Sequence, residues 1–176
     1  MEGSYILMKA KKLLSEQVIE DLKEYVIKPQ GFLLFVGENG RGKSFAAMNI
    51  YERVTPFKLP YHDHDIAWFI NQADLNMMFS ECDGHTGSLM KQACRTKLLI
   101  LDDLGTRTPS AAFMDFIYAV IDKRWNERDH KGTIITTNLD SGRIRKDFGD
   151  AIFSRMASGR NYVFEGADRR FEDHGF

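Results

Sequence analysis

The chain has 176 residues, with 24 Lys and Arg against 25 Asp and Glu, and a formal net charge of −1. That length suits one domain with a substantial core, and 43% hydrophobic with 28% charged residues is the make-up of an ordinary soluble globular protein. A near-neutral chain has no polycationic character, so contact with nucleic acid would need a local patch. No apolar run approaches the length that spans a membrane, and the N-terminus lacks a signal-peptide core. The cysteines, Cys82 and Cys94, are too far apart for a Cys-x-x-Cys pair and read as reduced thiols of a cytoplasmic protein.

Residues 1–12 carry little pattern. Leu14, Val18, Leu22, Tyr25 and Val26 recur at helical spacing, and Pro29 and Gly31 end that run. Phe32–Val36 reads as a buried strand. GENGRGKS follows, from Gly37 to Ser44, and opens into a helix from about Lys43 to Val54. Strand, glycine loop and helix in that order are the context of a nucleotide phosphate loop. The glycines let backbone N–H groups turn toward an anion, and the helix directs its positive end to the same place. Lys43 is expected to reach the β- and γ-phosphates and Ser44 to bind Mg²⁺. The contact set runs through Gly37, Glu38, Asn39, Gly40, Arg41, Gly42, Lys43, Ser44 and Phe45.

Pro56 and Pro60 bracket a loop. His62-Asp63-His64-Asp65 resembles a metal tract, but no further ligand cluster supports one, and it is not assigned a metal. Ile66–Ile70 is a second strand, whose Trp68 and Phe69 read as core because their neighbours on both faces are apolar. Asp74–Glu81 and Ser88–Arg95 read as helices separated by Asp83-Gly84-His85-Thr86-Gly87. Leu98–Leu101 is a third strand and ends in Asp102-Asp103. Pro109 and Ser110 start a long helix whose apolar stripe is Met114, Tyr118, Ile121 and Trp125, with Ile117 beside it. Thr133–Thr136 is a fourth strand ending in Thr137-Asn138. Arg143–Ala157 reads as one helix and Tyr162–Phe164 as a short last strand.

Nearly continuous apolar strands alternating with helices predict an α/β fold with a parallel sheet covered on both faces. Ligands then bind at the carboxyl ends of the strands, where Gly37–Ser44, Asp102-Asp103 and Asn138 all fall. After a phosphate loop, Asp102 is assigned to the metal and Asp103 to polarising the attacking water. Asp at such a position also caps turns. Asn138 is a neutral amide that can contact the γ-phosphate or orient the water, or else a turn residue. On the residues alone, Arg155 in Ser154-Arg155-Met156 is a solvated helix arginine.

The order GENGRGKS, LLILDDLG, TIITTNLD, SRM and EGADRR resembles the helicase-loader ATPases of the DnaC/DnaI group and the related IstB transposition helpers, which are AAA+ proteins. The resemblance covers about Gly31 to Arg170. It implies an AAA+ P-loop NTPase with a five-stranded parallel sheet in the order 5-1-4-3-2, sandwiched by helices. In its terms Gly37–Ser44 is Walker A, Leu98–Asp103 is Walker B, Asn138 is sensor 1 and Arg155 is an arginine finger acting on a neighbouring subunit. Residues 1–30 form an N-terminal segment with one helix, 31–170 the ATPase core and 171–176 a short tail. Many AAA+ proteins have Glu where Asp103 stands, so water activation is expected to be weaker. Little chain follows Arg170, so the helical lid is expected to be largely absent; Arg169 or Arg170 is a weaker candidate for nucleotide contact. The group's separate helicase-gripping domain has only about thirty residues available here.

The resemblance also suggests a DNA role for the segment from Gln72 to Thr96, with Lys91, Arg95 and Lys97 on phosphates. Without it, those residues are a solvated face. Arg143, Arg145 and Lys146 read as a solvated helix start. The implied function is an ATP-hydrolysing protein, slow and dependent on assembly or DNA, that uses ATP and Mg²⁺, self-associates through Arg155, binds single-stranded DNA and loads or remodels a replicative DNA helicase. The alternatives are an IstB-like transposition helper on duplex DNA and a nucleotide-binding adaptor with little turnover.

Overall fold

The computed structural model describes residues 16–55, 66–81 and 86–166. In chain order the elements are α1 (Glu16–Ile27), β1 (Gly31–Val36), α2 (Lys43–Val54), β2 (Ala67–Asn71), α3 (Gln72–Glu81), α4 (Gly87–Arg95), β3 (Leu98–Leu104), α5 (Ala111–Asn126), β4 (Gly132–Thr137), α6 (Ser141–Phe148), α7 (Asp150–Met156) and β5 (Arg160–Val163). All strand pairs are parallel and the sheet order is β2-β3-β4-β1-β5, the expected 5-1-4-3-2 read from the other edge. Among the described residues no helix follows β5.

Strand side chains alternate between two cores, as the two-residue period of a strand requires. Leu33, Phe35, Leu98, Ile100 and Ile134 pack with Leu22 and Tyr25 of α1 and with Ala46, Ala47 and Ile50 of α2. Phe32, Leu34, Leu99, Leu101 and Ile135 face the other way, onto α3 to α7. Trp68 belongs to this second core, and Phe69 packs at the edge of the first, its ring 5.9 Å from that of Tyr51. Both residues are therefore core, as expected. Burying each such Leu, Ile or Phe contributes about 1.5–3 kcal/mol.

Helix α5 differs from the expected stripe. Its buried line is Phe113, Phe116, Ile117, Val120, Ile121 and Arg124, while Tyr118 is 42% exposed and Met114 and Trp125 only pack against the core. Ser110 starts the helix as anticipated, accepting a hydrogen bond from the Phe113 amide at 3.2 Å. The helix expected over 143–157 is two helices. Gly149 adopts φ 84°, a conformation no helix residue takes, and breaks them apart. Boundaries also shift: α3 begins at Gln72, β3 runs on to Leu104, β5 is Arg160–Val163, and β1, β2, α4 and β4 differ by a single residue at one end or both.

Arg124 is fully buried, and its hydrogen bonds among the described residues go to a hydroxyl and to carbonyls. Its guanidinium donates to Thr133 Oγ1 at 2.8 Å, to the carbonyls of Ala93 at 2.7 Å and Thr96 at 2.8 Å, and to those of Lys97 and Gly132. It thereby binds the carboxyl end of α4 to Lys97, just before β3, and to the first residues of β4. Burial lowers its pKa to about 10, so it stays charged at neutral pH. Parallel strands β3, β4 and β1 are neighbours, and their carboxyl ends carry the acidic pair, Asn138 and the glycine loop respectively.

Candidate active site

The glycine loop leaves β1 beside the end of β5. A Cβ on Gly37 would lie 2.3 Å from the Phe164 carbonyl oxygen, so only glycine fits there. The Gly37 amide donates to the Thr137 carbonyl at 3.3 Å. Gly40 and Gly42 take φ values of 74° and 91°, and Gly42 is the N-cap of α2. No side chain caps this helix start, and its first turn has no acidic residue. Its amide ends and dipole therefore favour an anion. Lys43 is buried at 4% exposure and donates to the Glu38 carbonyl at 2.8 Å, while Arg41 pairs with the Glu38 carboxylate. Phe45 stands 36% exposed on the first turn of α2, and Asn39 is exposed in the loop.

The acidic pair sits in a bulge. The β3–β4 register runs evenly to Leu101↔Ile135 and resumes at Leu104↔Thr137, so Asp102 and Asp103 together oppose Thr136. Thr136 fills the gap with its hydroxyl, which donates to Asp102 Oδ1 at 2.7 Å and accepts from the Asp103 amide at 2.9 Å. Asp103 has φ 54°, in the left-handed region that Asp tolerates better than most residues. One residue on, Thr137 Oγ1 donates to the Leu104 carbonyl at 2.7 Å. Gln72, 2% exposed, accepts from the Gly105 amide at 2.7 Å and donates to the Arg107 carbonyl at 3.1 Å, fixing the segment that follows.

Ser44, at the end of the glycine loop, is close enough to Asp102 to favour its charged form. Burial raises the Asp102 pKa, and the Thr136 hydrogen bond, the Ser44 hydroxyl and the Lys43 charge act against it, while the Asp103 charge adds to it. A buried carboxylate beside a hydroxyl is an all-oxygen donor set of the kind Mg²⁺ takes, and a cation there would offset the cost of burying the charge. Ser44 and Asp102 therefore fit the metal. Asn138 Nδ2 lies 3.4 Å from Asn39 Oδ1, and Asn138 Oδ1 is buried with no hydrogen-bond partner among the described residues. An orphaned buried acceptor between the loop and the acidic pair suits a water or a phosphate hydroxyl.

The fold thus brings Lys43, Ser44, Asp102, Asp103 and Asn138 to the ends of three adjacent strands. Arg155 lies on α7, and its Nη2 is paired with Asp122 of α5 at 2.7 Å. Lys91, Arg95 and Lys97 are exposed on α4 and at the start of β3. The α6 basic cluster is partly used: Arg145 pairs with Asp150 at 2.6 Å and lies 4.2 Å from the Phe153 ring centre. His62–Asp65, Cys82, Arg169 and Arg170 lie outside the described residues. Sequence reasoning missed Thr136, Thr137 and Gln72. The one signal was the run of threonines in Thr133-Ile134-Ile135-Thr136-Thr137, which is unusually polar for a central strand.

No helix among the described residues is long and apolar enough to cross a membrane. No curated protein sequence matches closely enough to count as a relative. Among solved structures, the DnaC helicase loader superposes with a TM-score of 0.67 at 23% identity, covering 85% of this chain and 89% of that one. AMPPCP-bound DnaA from Aquifex aeolicus gives 0.71 at 16%, covering 87% of this chain and 48% of DnaA. DnaI gives 0.67 at 16%, covering 88% and 83%. These likenesses identify the fold as that of the AAA+ P-loop NTPases. The model of the IstB-like ATP binding proteins matches residues 8–158, a span that holds the glycine loop, the bulged acidic pair and Asn138 alike, and the chain belongs to that family.

Proposed function

We propose that this protein hydrolyses ATP within an assembly of its own copies, and that it uses the cycle on single-stranded DNA to load or remodel a replicative DNA helicase. The observation that carries the hydrolytic part is the Thr136-bridged bulge, which ties Asp102 by its carboxylate and Asp103 by its amide at the end of β3. Lys43 and the amide end of α2 bind the triphosphate and balance its charge. Ser44 and Asp102 would hold Mg²⁺, which would supply neutralisation of the phosphate charge. Asp103 accepts a proton from the water that attacks the γ-phosphorus as the bond to the β-phosphate oxygen breaks. Asn138 orients that water with its buried Oδ1. Arg155 serves a neighbouring copy's γ-phosphate. Lys91 and Arg95 contact DNA phosphates.

The helicase reading is supported by the extent of the match with the DnaC loader, most of both chains. The family model favours a second reading, an IstB-like transposition helper on duplex DNA. Fluorescence anisotropy with single- and double-stranded oligonucleotides at one stated salt separates them. The loader reading expects preference for the single strand, and preference for duplex replaces it with the transposition reading. The trans role of Arg155 is tested by mixing Arg155→Ala with Lys43→Ala. The first keeps a working loop and the second a working arginine, so mixed interfaces should regain hydrolysis. An arginine finger is worth about 10³ or more in rate. Mixed assemblies that form and stay inactive would remove Arg155 from the mechanism. A purified protein that binds ATP and releases no phosphate, with or without DNA, is the nucleotide-binding adaptor.

A further inference from the structure

The environment of Arg155 bears on how such an arginine could act. Its Nη2 lies 2.7 Å from Asp122 Oδ1, and the two side chains are 30% and 49% exposed. Its guanidinium carbon is 5.8 Å from the centre of the Trp125 ring, which Arg128 covers at 4.4 Å. Asp122 and Trp125 stand three residues apart on α5, so they share one face of that helix. The backbone of Arg155 is fixed as well, because its carbonyl accepts the Ser158 hydroxyl at 2.7 Å. A long, rotamer-rich side chain is thus held at both ends.

We infer that Asp122, with Trp125 beside it, is a positioning residue for Arg155. The carboxylate engages one terminal nitrogen of the guanidinium. The remaining donors of the fork stay available to a phosphate carried by another copy of the chain. Trp125 limits the swing of the guanidinium, since a cation is attracted to the ring face. Holding the arginine before assembly lowers the ordering cost when the second copy docks. This inference rests on the trans role of Arg155 proposed above.

The test compares phosphate release across protein concentration for the wild type, Asp122→Asn, Arg155→Ala and the double variant. Asp122→Asn keeps the volume and removes the charge that orients the guanidinium. It should lower the concentration-dependent kcat roughly 10- to 100-fold, with little change in KM for ATP, and Asp122→Glu should restore part of the rate. In the Arg155→Ala background, Asp122→Asn should add no further loss, because its effect passes through the arginine. An Asp122→Asn enzyme as fast as or faster than wild type, with Arg155→Ala inactive, overturns the positioning role and leaves the trans role standing. Equal losses from Asp122→Asn with and without Arg155 assign Asp122 to the fold and also overturn the inference. An active, concentration-dependent Arg155→Ala protein refutes both readings together.

Discussion

Replacing Thr136 with Val removes a single hydroxyl from a fully buried position and leaves the shape nearly unchanged. That hydroxyl makes two bonds, one donated to the Asp102 carboxylate at 2.7 Å and one accepted from the Asp103 amide at 2.9 Å. A hydrogen bond to a charged acceptor contributes about 1.5–3 kcal/mol and a neutral one about 1 kcal/mol. The total, about 2.5–4 kcal/mol, divides between the fold and the site. If half falls on the fold, Tm should drop by about 3–8 °C for a domain of this size. The other half acts on the geometry of the acidic pair. Asp103 is held at φ 54° with its amide tied to Thr136, and without that tie the bulge can relax. Every 1.4 kcal/mol is tenfold in rate, so kcat for ATP hydrolysis should fall about 10-fold while nucleotide still binds. Phosphate release at saturating Mg·ATP and a thermal melt measure the two shares. Thr136→Ser keeps the hydroxyl and should recover most of both. Turnover of Thr136→Val within twofold of wild type, at an unchanged Tm, would show that the bridge does not organise the carboxylates.

Lys43→Ala should bring hydrolysis to background and weaken ATP binding, and unchanged turnover in a purified sample would sink the phosphate-loop assignment. Arg124→Met should cost about 2–4 kcal/mol, because the carbonyls of Ala93, Thr96, Lys97 and Gly132 lose a buried donor; urea denaturation measures it, and a loss below about 1 kcal/mol would mean that the carbonyls find other partners. Glu127 is ion-paired with Lys123 at 2.7 Å and Lys131 at 2.6 Å, and these partners lower its pKa to about 2. A lowered carboxyl pKa gives stability that is present above the unfolded value of 4.5 and is lost as pH falls toward 2. Glu127→Gln should therefore destabilise by less than about 1 kcal/mol at neutral pH, since solvent screens the pairs. The gap to wild type should narrow on acidification, and a gap that stays constant from about pH 6 to pH 3 would contradict the assignment.

The alternation of strands and helices, the glycine loop and the Asp-Asp strand end were legible because each is a local pattern. The stripe of α5 was not. Ala111-Ala112-Phe113-Met114-Asp115-Phe116-Ile117-Tyr118-Ala119-Val120-Ile121 is apolar on nearly every side, so periodicity alone does not select the face that turns inward. The true line also ends in Arg124, a residue type that ordinarily lies at the surface. Gly149 reads as a tolerated glycine inside a helix until its positive φ is seen. Thr136 reads as a strand former. Its hydroxyl acquires a role only when β3 and β4 pair with one residue to spare, and that register is a product of the whole sheet. The Asp122–Arg155 pair joins residues distant in sequence, with no local mark on either.

Thr137 carries a consequence for how the site is held together. Its carbonyl holds the Gly37 amide of the phosphate loop, and its hydroxyl holds the Leu104 carbonyl just past the acidic pair. The two halves of the site are pinned to opposite sides of one residue. The loop's first glycine and the strand that bears Asp102 and Asp103 are therefore tied to each other through one residue of β4, the residue that precedes Asn138.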